Sequence, residues 1–299
     1  MTNLIISTIA QGLLWALLAL GVFITFRILD VADLTVEGSF PMGAAISAVL
    51  ITMGVNPWIT VIVAGIGGMI AGAVTGWIHT KLKIPALLAG ILTMIALYSV
   101  NLHIMGKANI SLLRMDTVYS AIHSMGISNA VALTIIGVVV TVVVGLFLFW
   151  FFGTELGTSI RATGVNPQMI RAQGVNTDSM IVLGLLLSNG FVAVSGALIA
   201  QSQGFADIGM GVGTIVIGLA SVIIGEVLFA SSSVVRKLFG NSSFVLSLVA
   251  VVFGSIIYRI VIATVLYLGM PPNDLKLFTA ILVALALSLP TWQGKFRRG

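Results

Sequence analysis

The chain has 299 residues, 59% of them hydrophobic and 8% charged, whereas a soluble domain carries about 25% charged residues. Its net charge of +5 comes from basic residues scattered at the ends of apolar runs; no basic face could follow a phosphate backbone, which sets nucleic-acid binding aside. With no cysteine, a disulfide framework and a thiolate metal site are excluded.

Apolar runs of bilayer-spanning length recur along the whole chain. The first, "MTNLIISTIAQGLLWALLALGVFITF", lacks the basic start of a cleaved signal peptide and is expected to remain as a span over 4–26. A loop follows that sets Arg27 against Asp30, Asp33 and Glu37. The next span, 38–54, is short for a bilayer core of about 30 Å and predicts tilt or a broken helix. Further spans are predicted at 57–79, 86–104, 130–152, 179–200, 211–230, 245–268 and 275–291. The fold class is therefore all-α: a polytopic membrane protein of about nine transmembrane helices, with eight to ten allowed by boundary error.

Lysine and arginine in the short loops set the orientation. Lys81 and Lys83, Arg161 and Arg171, Arg236 and Lys237, and Lys295, Arg297 and Arg298 all fall on one side of a nine-span chain. That side is expected to be the cytoplasm, with the N-terminus outside and the C-terminus inside. Lys107, Arg114 and Asp116, and Lys276 with Asp274, fall on the other side.

Within span three, Gly68, Gly72 and Gly76 recur every four residues on one helix face. That spacing lets two membrane helices approach closely, inside one subunit or between two. The stretches "VADLTVEGSFPMGAAISAVLI" and "FADIGMGVGTIVIGLASVII" echo one another: each follows a span, begins acidic and runs through glycines into another span. In this topology those following spans point in opposite directions, as in an inverted repeat, although chance likeness of glycine-rich apolar segments would read the same way.

Between spans five and six the apolar text is interrupted by "GVNPQMIRAQG". Asn166 suits an N-cap, Pro167 falls at the first helical position, and Gly174 follows as a stop that tolerates a left-handed backbone. So short a helix is not stable alone and must rest on something. Met169 and Ile170 could face protein or the membrane boundary, and Gln168, Arg171 and Gln173 water or a partner.

No phosphate loop, HExxH pair or G-x-S-x-G elbow is present, so covalent chemistry and ATP hydrolysis are not expected of this chain. His79, His103 and His123 lie at loop or span ends and read as solvated or interfacial. The costly charges are Arg259 within span eight and Glu226 near the end of span seven, each either a structural group or part of a polar lining or gate. Asp30, Asp33 and Glu37 stand at the entry of the short second span and read either as solvated carboxylates or as gating or docking groups.

The stretch "GTELGTSIRATGVNPQMIRAQGVNTDSM" resembles the cytoplasmic loop of permease subunits of bacterial ABC importers, in the branched-chain amino-acid and ribose branch. Gly157, Arg161, Ala162, Gly164, Asn166, Arg171, Gly174, Val175 and Asn176 carry the likeness. "DLTVEGSFPMGAA", "GVGTIVIGLASVIIGE" and "PPNDLKLFTAILVALALSLP" are similar to a sub-branch often paired with lipid-anchored proteins proposed to bind aromatic amino acids.

The resemblance implies one permease domain over 1–299 in the bacterial inner membrane, with a coupling loop at 153–178. Arg161, Gly164, Asn166, Pro167, Gln168, Met169, Ile170, Arg171, Gln173 and Gly174 would couple the chain to a separate ATPase, which binds the ATP and Mg. It further implies a second permease copy and an external binding protein, for which Lys107, Arg114 and Asp116 on the loop at 105–129 are docking candidates. The cargo implied is an amino acid, with an aromatic one as the narrower implication. A sugar or nucleoside importer, and an ATP-independent carrier, are the competing readings.

Overall fold

The computed structural model describes residues 2–123, 126, 128–230, 243–269, 271, 274, 277–281, 283 and 284. Arg236, Lys237, Lys276, Lys295, Arg297 and Arg298, and most of the ninth predicted span, lie outside the described residues. Among the described residues, six helices are long and apolar enough to cross a membrane, so the chain is an all-α polytopic membrane protein. They are α1 (Thr2–Phe23, continued by a π-helical turn at Ile24–Ile28), α3 (Pro57–Lys81), α4 (Ala86–Met105), α6 (Asn129–Phe152), α9 (Thr177–Gln203) and α11 (Ser243–Tyr267). Two shorter apolar helices, α2 (Val36–Thr52) and α10 (Thr214–Ala230), fill the gaps between them.

The remaining elements lie at the two ends of the bundle. Strands β1 (Asn109–Ser111) and β2 (Phe205–Asp207) pair antiparallel, Ile110 opposite Ala206, and a short α5 (Ser120–His123) follows β1 in sequence. At the other end α7 (Glu155–Val165) and α8 (Pro167–Ala172) bridge α6 to α9. Tyr119 donates through its hydroxyl to the Leu198 carbonyl at 3.1 Å, tying the β1–α6 loop to α9. Burial pushes this phenol far above its usual range, so it stays a neutral donor.

Helix α9 is the axis of the bundle. Gly68 and Gly72 of α3 pack against the Asn189 and Leu185 carbonyls of α9, and a Cβ at Gly76 would lie 2.9 Å from the Val182 Cα. The glycine face therefore packs within the chain. Gly43 of α2 meets the Ala193 carbonyl and Gly196 of α9 meets the Phe40 carbonyl, so α2 lies equally close on another side. Without side chains between them the backbones touch directly, which is how apolar helices gain contact when the surrounding lipid is as apolar as they are. Gly72→Val places carbon on the Leu185 carbonyl, and overpacking of this kind costs about 1–3 kcal/mol or more. A lower melting temperature and lower yield in detergent are expected; unchanged melting would contradict this packing.

Helices α2 and α10 run in opposite directions. Pairs such as Ser39–Asn189 and Ser47–Gln201 make α2 parallel to α9. Gly218 beside Val22 and Glu226 beside Arg27 make α10 parallel to α1, and Gly21–Ser188 with Leu14–Ser195 make α1 antiparallel to α9. Their N-terminal ends meet inside the bundle: the Gly213 N–H, one residue before α10, donates to Glu37 Oε1 at 3.0 Å. The two echoed sequence stretches thus form two short, oppositely directed helices whose starts face one another.

Candidate coupling surface and membrane-interior polar sites

At the α7–α8 end, the order of caps follows from the residues. Thr154 accepts from the Gly157 N–H to start α7. Asn166 ends α7 and starts α8, its Oδ1 accepting from the Met169 N–H at 3.0 Å, with Pro167 at the first position. The Gln173 N–H closes α8 on the Met169 and Ile170 carbonyls, and Gly174 turns away at φ +86°. Asn176 then caps α9 through the N–H groups of Asp178 and Ser179.

These caps fix what α8 presents and what holds it. Ile170 is buried, whereas Gln168, Met169 and Gln173 are exposed, as is Val165 just before the helix. Arg171 donates to Thr177 Oγ1 at 2.6 Å and to Asp178 at 3.3 Å, which ties α8 to the start of α9. Gly164 packs on the Ile28 carbonyl at the π-helical end of α1, a contact no larger residue permits. Arg161 stands over the Phe244 ring of α11 at 5.0 Å. The α8 surface is thus joined to α9 directly and to α1 and α11 through α7.

The first-loop carboxylates do not gather into one site. Asp30 is exposed in a left-handed conformation (φ +55°). Asp33 is buried: one oxygen accepts from the Thr35 N–H at 2.9 Å and the other from Asn189 Nδ2 at 2.7 Å. Ser39 donates to Asn189 Oδ1 at 2.6 Å and Thr35 meets Thr75 at 2.8 Å, so α2, α3 and α9 share one polar junction. Glu37 lies at the junction of α2 and α10. Pro41 supplies no N–H for the Glu37 carbonyl, and Gly211 packs against that freed carbonyl.

Arg27 finds its partner across the bundle, not within its own loop: its Nε lies 2.8 Å from Glu226 Oε1. Its side chain is 61% exposed, so the pair is screened and contributes at most about 1 kcal/mol. A double-mutant cycle on Arg27→Ala and Glu226→Ala is expected to give a coupling below about 1 kcal/mol; a larger one would mean a dry contact. Arg259, a structural group or part of a polar lining or gate in the sequence reading, sits 4.3 Å above the Trp15 ring. Trp15 in turn stacks on Phe40 at 5.2 Å.

At the β1–β2 end, Lys107, Arg114 and Asp116 are exposed beside Leu113, which is 75% exposed. Sequence reasoning missed Asn189, Asn101, Thr75 and the Gly211–Gly213 turn. An amide within an apolar run, as in "LLLSNGFVA", was the available signal.

Three comparisons bear on these arrangements. A family model described as branched-chain amino acid transport system / permease component matches residues 4–287. A tyrosine transport system permease protein of Clostridioides difficile (strain R20291) is 40% identical over 93% of this chain and 88% of its own length. An uncharacterised protein of Rickettsia prowazekii (strain Madrid E) is 35% identical over 96% and 97%. An autoinducer 2 import system permease protein of Salmonella paratyphi B is 26% identical over 70% of this chain and 59% of its own. No solved structure matches the chain significantly.

Proposed function

From the premise that this chain belongs to the branched-chain amino acid transport system / permease component family, we propose that it is the membrane subunit of an ATP-driven amino-acid importer. The observation that carries the reading is α8: a capped helix with an exposed outer surface, braced on α9 and, through α7, on α1 and α11. A rigid element can pass a rigid-body displacement from a partner to the membrane helices, whereas a floppy loop would absorb it. In this reading Arg161, Gly164, Asn166, Pro167, Gln168, Met169, Ile170, Arg171, Gln173 and Gly174 form or support the docking surface for an ATPase.

ATP and Mg would be bound by that ATPase, whose cycle would bias inward- and outward-open states. The α8 end then faces the cytoplasm of the bacterial inner membrane, as does the C-terminus. The β1–β2 end, with Lys107, Arg114 and Asp116, receives a substrate-loaded binding protein. Two copies related by a two-fold axis enclose the pathway. Glu226 serves as a surface tie, whereas Asp33 and Arg259 hold the pathway helices in place from inside.

The tyrosine permease relative supports an amino-acid cargo, with an aromatic one as the narrower reading. The autoinducer 2 import relative, less alike, supports a cargo other than an amino acid as the second reading. Because the chain has no cysteine, a single one placed at Met169 can report the docking directly. It is expected to cross-link to the ATPase subunit, while one at Leu113 does not. Cross-linking at neither position, or only at Leu113, would overturn the α8 docking.

A further inference from the structure

Beside the meeting point of α2 and α10 lies a pocket of about 340 Å³, bounded by α2, α4 and residues 208–212. Its walls are mostly apolar, with Met94, Ile208 and Val212 among them. Its polar side chains are those of Glu37, Tyr98, Ser99 and Asn101. Asn101 is 1% exposed; its Nδ2 donates to the Gly38 carbonyl at 3.1 Å, which fixes the amide, and its Oδ1 has no hydrogen-bond partner. Glu37 brings a carboxylate to the same pocket, held in place by the Gly213 N–H on Oε1. Tyr98 adds an aromatic ring that is more than half exposed.

A buried amide oxygen without a donor is costly, and so is a carboxylate in an apolar wall within the membrane. The carboxylate's cost falls when a ligand supplies a positively charged donor. We propose that this pocket is a way station in the permeation path, where Glu37, with Asn101 in the same wall, takes the primary ammonium group of the amino acid and the Tyr98 ring its apolar side chain. This rests on the importer reading above and adds to it the residues that touch the cargo. An apolar pocket with a carboxylate fixed in its wall favours an amine over a carboxylate of the same shape. Neutral sugars would gain less, having no charge to pair with Glu37.

The test uses the full permease–ATPase complex in proteoliposomes of phosphatidylcholine, so that no lipid supplies a primary amine. The binding protein is loaded beforehand with radiolabelled L-tyrosine, so that competition occurs at the membrane subunit. Tyramine, an amine without a carboxylate, is expected to slow tyrosine uptake. 3-(4-Hydroxyphenyl)propionate, a carboxylate without an amine, is expected not to.

Glu37→Gln keeps the side-chain shape and the acceptor for Gly213. It is expected to lower uptake about 10-fold and to abolish the tyramine effect, with ATP hydrolysis stimulated by the loaded binding protein intact. Uptake at the wild-type rate with tyramine sensitivity unchanged would overturn the inference, as would inhibition by the propionate alone. If the wild-type complex itself fails to take up amino acid on ATP, the importer reading falls and the inference with it; that result is distinguishable because it does not depend on the variant.

Discussion

Gly174→Pro is expected to abolish ATP-driven uptake while leaving the membrane helices assembled. The backbone at this position has φ +86°, which proline cannot adopt because its ring holds φ near about −65°. The substitution also removes the Gly174 N–H that donates to the Arg171 carbonyl at 3.1 Å. An incompatible proline costs about 3 kcal/mol, or about 100-fold in the population of the correctly closed turn. Since the turn is exposed and makes no contact that a Cβ would disturb, the cost falls on α8 and not on the bundle. ATP hydrolysis by the co-purified ATPase should then continue at its basal rate, unresponsive to loaded binding protein. Gly174→Ala, which needs only a left-handed alanine, is expected to cost about 1–2 kcal/mol and to retain partial uptake. Full uptake by the proline variant would remove α8 from the coupling path.

The second large effect is expected inside the bundle. Asn189→Leu removes the donor to the buried Asp33 carboxylate and the acceptor for Ser39 in one step. Leaving a buried carboxyl group without its hydrogen-bond donor costs about 1–3 kcal/mol, because its desolvation is then uncompensated. The start of α2 should loosen, since Asp33 also accepts the Thr35 N–H that precedes the helix. The expected readout is a marked fall in melting temperature and yield of the purified protein. Adding Asp33→Ala to Asn189→Leu should recover part of the loss, because the orphaned carboxylate is then gone. If Asn189→Leu melts like the wild type, Asp33 is not held as described.

Much of this molecule was legible in its sequence because membrane spans announce themselves by composition over many consecutive residues. The predicted span at 57–79 became Pro57–Lys81 and that at 86–104 became Ala86–Met105. The short second span proved to be a 17-residue helix starting inside the bundle. The capped helix was equally plain, since Asn166, Pro167 and Gly174 act on their own neighbours and need no tertiary partner.

What stayed hidden was long in sequence separation or weak in pattern. Asp33 and Asn189 are 156 residues apart, and Glu37 and Gly213 are 176 apart. The first loop mixes Arg27 with Asp30, Asp33 and Glu37, and nothing in it signals that the helix end carries Arg27 to Glu226. Nothing in the run around Arg259 signals that its guanidinium meets the Trp15 ring of the distant first helix, a contact that leaves its Nε without a hydrogen-bond partner. Strands of three residues such as β1 and β2 carry no detectable periodicity, and their pairing joins loops about 100 residues apart. Helix α7 was also missed, because its 11 residues mix threonine, glycine and charge.

The central claim is that this chain moves an amino acid only when a separate ATPase works through α8. The most direct measurement is ATP hydrolysis and tyrosine uptake together, in liposomes holding the chain with its ATPase partner, with and without loaded binding protein outside. The account predicts uptake that requires ATP on the α8 side and hydrolysis that rises when loaded binding protein meets the β1–β2 side. Uptake driven by an ion gradient without ATP, or hydrolysis indifferent to the loaded binding protein, would contradict it.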